Sequence, residues 1–132
     1  MKAALLTARI LLGVTGTAVV LLGILLWTGH GPTLIPLHME IGAVFVLSLW
    51  LLVILGAWAR VGVPILVLTA VLSLVVPVLG VRQMALLPGS LHGLVQVTHL
   101  LVGVAAVGLG QLIYRRARKA QPAKLHDQAK AA

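Results

Sequence analysis

Four long apolar stretches follow one another along the 132 residues, separated by short segments that contain Gly, Pro or Arg. An α-helix needs about 20 apolar residues to cross roughly 30 Å of hydrocarbon, and each stretch approaches or exceeds that length. Hydrophobic residues make up 61% of the chain and charged residues 9%, whereas a soluble domain carries about 25% charged residues. Because so small a fold cannot hide this much apolar surface from water, we predict an all-α membrane protein.

The breaks between the apolar stretches set the predicted helix boundaries. Segments 29–32, 60–64 and 82–90 each contain Gly or Pro, which interrupt helices. We predict transmembrane helices over about residues 8–28, 36–59, 63–81 and 91–115, within one domain that covers residues 1–119. Residues 120–132 are predicted to form a polar, basic cytoplasmic tail. Short connections favour an antiparallel four-helix bundle.

The placement of the cations predicts which side of the membrane each loop faces. The chain has a net charge of +8, and Arg82 is the one cation expected on the outer side. By the positive-inside rule, both termini are then cytoplasmic, and we predict a multi-pass protein of a bacterial-type inner membrane. Such cations contact anionic lipid headgroups, so we expect membrane lipid and no nucleic acid as partner. The inner-side cations are Lys2, Arg9, Arg60, Arg115, Arg116, Arg118, Lys119, Lys124 and Lys130.

A repeated pattern divides the chain into two halves. Segments 38–42 and 99–103 both read His-x-x-x-Gly, and each follows a predicted outer loop that carries a further histidine. Residues four positions apart share one helix face, so each glycine lies one turn from its histidine. The pattern predicts two repeated helical hairpins, with the His-x-x-x-Gly segment on the second helix of each hairpin.

The two histidines of this pattern are the predicted cofactor ligands. Histidine is costly inside a bilayer, so an intramembrane histidine indicates function. We predict that His38 and His99 are the axial iron ligands of one b-type haem held between the second and fourth helices. A flat macrocycle must approach the backbone closely, and Gly42 and Gly103 would allow that approach, although small residues in membrane helices also serve close helix packing.

Further polar side chains are predicted around the same outer side. Arg82 is expected to pair with a haem propionate, with a lipid headgroup as the alternative partner. His92 and His30 are reserve iron ligands, because counting residues from Arg60 and from Arg115 places His92 closer than His99 to the height of His38.

Two other interpretations of the histidines remain open. A zinc or copper site formed by three or four of them, with Glu40 as an extra ligand, is one alternative. Histidines that serve only as hydrogen-bond partners between helices are the other. The chain has no cysteine, which excludes thiolate ligands and iron–sulfur clusters.

A family resemblance bears on these interpretations. Residues 78–81 (Val-Leu-Gly-Val), 88–89 (Pro-Gly) and 97–103 (Val-Thr-His-Leu-Leu-Val-Gly) resemble the third and fourth helices of one half of the haem A synthase family. Those enzymes resemble two fused four-helix bundles, each with histidine ligands on its second and fourth helices. The resemblance implies that His38 and His99 ligate haem b.

The chain departs from this family at its catalytic positions. The catalytic half of the family has a glutamate three residues before the ligand on the second helix, and often an arginine just after it. Ile35 and Met39 stand at those positions here, and Glu40 lies about 200° around the helix from His38. The resemblance therefore implies haem binding rather than the oxidation chemistry.

The predicted function is that of a membrane cytochrome b with one bis-histidine haem near the outer face, for electron transfer or haem handling. A quinol or a redox protein is its expected partner. One alternative is a small non-catalytic subunit or assembly factor of a larger respiratory membrane complex, and a homo-oligomer also fits. The other is a compact haem A synthase-like enzyme, which the position of Glu40 away from the family's catalytic glutamate disfavours.

Overall fold

The computed structural model describes the backbone of residues 1–131 and the side-chain surroundings of residues 1–120. Its elements are four α-helices and two single-turn 3₁₀ helices, and no strand occurs in the described backbone. The α-helices are α1 (Lys2–Trp27), α2 (Ile35–Trp58), α3 (Val63–Arg82) and α4 (His92–Ala131). The 3₁₀ helices, Pro32–Leu34 and Gly89–Leu91, lead directly into α2 and α4.

All four helices are long and apolar enough to cross a membrane. The candidate spans have mean hydropathies between 1.7 and 2.5, and at most 33% of any one span is buried inside the protein. The large apolar side chains that remain exposed suit contact with lipid tails, since a water-facing surface carries far more charge. This confirms the prediction of an all-α, multi-pass membrane protein. The spans are Lys2–Trp27, Pro32–Trp58, Val63–Arg82 and Gly89–Ala120.

Two helix boundaries differ from the predicted ones. Helix α1 begins at Lys2 rather than near residue 8, because Leu5 and Ala8 are fully buried and extend the packed face of the helix toward the N-terminus. The backbone of α4 stays helical to Ala131 rather than ending near residue 115. Ala117 is fully buried, so α4 is still packed beyond its first arginines. The side chains of the predicted tail lie outside the described residues from position 121 onward.

Helices α2 and α4 form the centre of the bundle. Each packs against the other three helices, whereas α1 and α3 each pack against α2 and α4. The core is made of buried apolar residues from α1, α2 and α4, and α3 contributes partly buried side chains such as Leu66 and Leu72. Because His38 and His99 belong to the two central helices, both can face the interior of the bundle.

Glycines allow the closest approaches between helices. A methyl group built at Gly110 of α4 would lie 2.5 Å from Cδ2 of Leu12 and 3.1 Å from Cδ2 of Leu49. One built at Gly56 of α2 would lie 2.7 Å from Cγ2 of Ile113. Small residues that let side chains of neighbouring helices pack onto the backbone are the usual means of helix association in membranes.

Candidate functional site

The imidazole rings of His38 and His99 lie next to each other between α2 and α4. Their ring centroids are 6.4 Å apart and their planes are inclined by 57°. Both side chains are half-buried. The structure thus brings together the two residues that the repeated sequence pattern predicts to be a pair of iron ligands.

Each of these rings has a nitrogen atom without a hydrogen-bond partner. Among the described residues, the buried side-chain nitrogen and oxygen atoms without a hydrogen-bond partner are Nδ1 of His38 and Nδ1 of His99. The buried hydroxyls behave differently, because Ser48 and Thr69 each donate to the carbonyl four residues earlier, at 2.8 and 2.7 Å. Buried polar groups normally have partners, so two orphaned nitrogens on neighbouring rings mark an incomplete site.

A glycine of the adjoining helix lies against each ring. A methyl group at Gly23 of α1 would lie 3.5 Å from Cε1 of His38. One at Gly80 of α3 would lie 3.2 Å from Cε1 of His99 and 3.7 Å from its Nε2. The His38 ring thus lies against α1 and the His99 ring against α3. A methyl group at Gly23 would make an ordinary contact with its ring, whereas one at Gly80 would be tight enough to require the His99 ring to shift.

Open space lies beside the two other glycines of the pattern. A methyl group at Gly42 or at Gly103 would meet no atom within 4 Å, and both residues are half-buried. Each lies one turn from its histidine along the helix. Each position is therefore free of protein atoms where a side chain would be, and its use by a cofactor stays a prediction of the His-x-x-x-Gly pattern.

The separation of the rings fits a single metal ion between them. An imidazole nitrogen binds a transition metal at about 2 Å, and the ring centroid lies roughly 1 Å behind it, so opposed imidazoles have centroids about 6 Å apart. The 6.4 Å between His38 and His99 agrees with that value. The pair thus offers two imidazole donors from different helices, at a centroid separation compatible with one shared metal ion.

The remaining predicted residues have local partners or are exposed at helix ends. Nδ1 of His30 is 3.0 Å from the hydroxyl oxygen of Thr28, and His30 is exposed. Nδ1 of His92 is 3.4 Å from the carbonyl oxygen of Leu86. Arg82 is exposed at the end of α3. These positions leave the roles of Arg82 as propionate partner and of His92 and His30 as reserve ligands as predictions.

The zinc or copper alternative finds no assembled ligand set. Within residues 1–120, no three His, Cys, Asp or Glu side chains come close enough together to hold a metal ion. Glu40 is exposed while His38, two residues earlier, is half-buried, as expected from their angular separation on α2.

The contacts of Gly80 with His99 and of Gly23 with His38 were both missed by sequence reasoning. A signal exists in hindsight: each glycine interrupts a run of large aliphatic residues on the helix preceding a His-x-x-x-Gly segment. The signal is weak, because the chain contains 14 glycines and most of the others have no relation to the histidines.

Comparisons with protein-family models, with curated proteins and with solved structures find no match to this chain. The resemblance to the haem A synthase family therefore stays a prediction from the sequence.

Proposed function

We propose that the protein is a membrane-embedded b-type cytochrome that holds one haem between α2 and α4, with His38 and His99 as the axial ligands. The observation that carries the proposal is the 6.4 Å separation of the two ring centroids. Their unpartnered buried nitrogens support it, because binding to iron, or hydrogen bonds that orient the iron-bound rings, would supply the missing partners. The open space at Gly42 and Gly103 supports it further.

Bis-histidine ligation favours electron transfer over substrate activation. A haem with both axial positions filled supplies reversible one-electron chemistry and offers no open iron position to oxygen or substrate. The residues of this chain orient the two imidazoles, through Gly23 and Gly80, and exclude water from their Nδ1 atoms. A quinol or a redox protein would be the partner in electron transfer. Haem handling is the variant of this function in which the haem itself is passed on.

The proposed arrangement in the membrane is an antiparallel bundle with both termini in the cytoplasm. Contacts along α1 support the antiparallel direction, since Gly16 lies against Phe45 while the later Gly23 lies against the earlier His38. The bias of cations toward one set of helix ends supports the orientation and a bacterial-type inner membrane. With this orientation the histidine pair lies in the outer half of the membrane.

The optical spectrum of the purified protein tests the function directly. The full chain is produced in haem-replete bacterial cells, purified in detergent and measured oxidised and reduced, with the haem quantified as its pyridine haemochrome. We expect about one b-type haem per chain, reversibly reducible. A colourless protein that also fails to take up added haem would contradict the proposal and favour a non-catalytic subunit.

Matched histidine variants test the ligands. His38→Ala and His99→Ala should each lose most of the haem, because one imidazole alone holds the iron weakly. His30→Ala removes an imidazole of the same chemistry from an exposed position and should keep the haem. If the His38→Ala/His99→Ala double variant keeps the haem content of the wild type, these two residues are not the ligands. If His92→Ala loses the haem and His99→Ala keeps it, His92 is the second ligand instead of His99.

The synthase alternative has its own test. Conversion of haem O to haem A in a host without its own synthase would support an enzyme, whereas haem-loaded protein that leaves haem O unchanged would remove that alternative. The exposed position of Glu40, on a different face of α2 from His38, favours the second outcome.

A further inference from the structure

A cluster of polar side chains joins α1 to α4 away from the histidine pair. The guanidinium carbon of Arg9 lies 4.8 Å from the ring centroid of Tyr114, and that of Arg118 lies 5.9 Å from the same centroid. Nη1 of Arg118 donates to the Tyr114 hydroxyl at 3.2 Å. Nε of Arg9 donates to Oε1 of Gln111 at 3.3 Å. Two cations from different helices thus share one aromatic ring.

The tyrosine of this cluster is buried and its two arginines are exposed. Tyr114 is 5% exposed, and Leu5 and Ala117 of the same core are fully buried. Both arginines are exposed. The buried tyrosine therefore contacts both guanidinium groups, through cation–π contacts and one hydrogen bond, while the two arginines stay exposed.

Nothing in the described residues neutralises this pair of charges. Glu40 is the one acidic residue among positions 1–120, and it lies in α2 near the histidine pair. Two guanidinium groups on one ring repel each other, and the tyrosine and glutamine contacts orient them without cancelling their charge. Each guanidinium has five N–H donors, of which the observed bonds use one. The cluster thus has both the charge and the donors for an anion.

We propose that Arg9 and Arg118 together bind a phosphate group, that of an anionic membrane phospholipid. Arginine matches phosphate oxygens with paired N–H donors. Arg118 lies two residues before the end of the span Gly89–Ala120, and Arg9 lies in the first third of the span Lys2–Trp27, so the cluster is in the part of the bundle where headgroups are expected. On α1, Ile10 and Val14 are 55% and 65% exposed, so the helix that carries Arg9 also offers apolar surface to an acyl chain. This surface favours a lipid over free phosphate. The bound phosphate would bridge α1 and α4 independently of any haem.

Native mass spectrometry of the purified full chain tests the proposal. Retained lipid is counted after addition of phosphatidylglycerol or of phosphatidylcholine with the same acyl chains. We expect the wild type to prefer phosphatidylglycerol by about tenfold or more, and the Arg9→Gln/Arg118→Gln variant to lose most of that preference. The control, Arg115→Gln/Arg116→Gln, removes the same charge from exposed positions of α4 and should keep the preference within about twofold.

Other outcomes would overturn the proposal or its lipid assignment. If both double variants lose the preference for phosphatidylglycerol equally, only diffuse positive charge attracts the lipid. If Arg9→Gln/Arg118→Gln keeps the preference of the wild type, the site is excluded. The unfolding temperature separates lipid from free phosphate. If inorganic phosphate raises it in the wild type as much as phosphatidylglycerol does, and has no effect on this variant, the site binds free phosphate and the lipid assignment is overturned. If the glutamine variant does not accumulate, the variant Arg9→Lys/Arg118→Lys replaces it, because lysine keeps the charge and loses the paired donors. We expect its preference for phosphatidylglycerol to be severalfold weaker than that of the wild type. An unchanged preference would overturn the proposal.

Discussion

Gly80 of α3 lies directly against the ring of His99, so close that a methyl group on its Cα would be 3.2 Å from Cε1 of the imidazole. A side chain at this position would be closer to the imidazole than an ordinary van der Waals contact, so glycine is the residue that leaves room for the ring where it lies. A helix that carries no candidate ligand thus fixes the position of one.

Enlarging Gly80 should displace His99 without removing it. In Gly80→Val the added methyl groups would overlap the imidazole, so we expect several-fold lower haem content and a changed reduced spectrum. Haemochrome quantification and the optical spectrum measure both. Gly108→Val is the control, because its Cβ meets no atom within 4 Å and the residue is exposed. Wild-type spectra for both variants would show that the ring does not depend on α3.

Filling the open space beside the rings should exclude the cofactor while the helices still pack. Leucine at Gly42 or Gly103 would extend into space where a Cβ atom at either position meets no protein atom within 4 Å. We expect loss of most of the haem with unchanged helix content by circular dichroism. Gly108→Leu adds the same side chain at an exposed position of α4 and should keep the haem. Full haem content in Gly42→Leu and Gly103→Leu would place the macrocycle elsewhere.

A single added methyl at Gly110 should destabilise the bundle. It would lie 2.5 Å from Cδ2 of Leu12, in a site enclosed by two neighbouring helices. Overpacking of this kind costs about 1–3 kcal/mol of unfolding free energy. Unfolding in mixed micelles, followed by circular dichroism, measures the change. Gly108→Ala, two residues earlier on the same helix, should be neutral or slightly stabilising, and an equal loss there would contradict the packing argument.

The proposed orientation is testable because the chain has no cysteine of its own. A single cysteine placed at Ser90, in the second proposed outer loop, should react with a membrane-impermeant maleimide in intact spheroplasts. One placed at Gly62, between α2 and α3, should react only after lysis, because that connection is proposed to be cytoplasmic. Both positions are exposed. The opposite labelling pattern would reverse the orientation.

The helices could be predicted from the sequence because lipid imposes a simple rule. An apolar run of sufficient length must become a helix, since its backbone groups have no water to bond. The proximity of His38 and His99 could also be anticipated, because each begins the same His-x-x-x-Gly pattern on alternate helices. Whether the two rings ligate iron stays a prediction.

The details that depend on helix rotation and helix ends could not be predicted. Which glycine lies against which ring is determined by how α1 and α3 turn toward the central pair, and local sequence does not contain that angle. Counting residues back from Arg115 placed His92 closer than His99 to the height of His38 in the membrane. That count took Arg115, the first arginine after the fourth apolar stretch, as the inner end of the span. The structure keeps α4 packed as far as Arg118, whose side chain contacts Tyr114.

The position of the two histidines on α2 and α4 also orders the biosynthesis of the protein. A nascent chain that has delivered three helices to the bilayer contains His38 but not its companion, since His99 belongs to the last span. The paired site therefore comes into existence only once the whole polypeptide has been inserted. If the pair binds haem as proposed, loading follows insertion, because only the completed bundle contains both imidazoles.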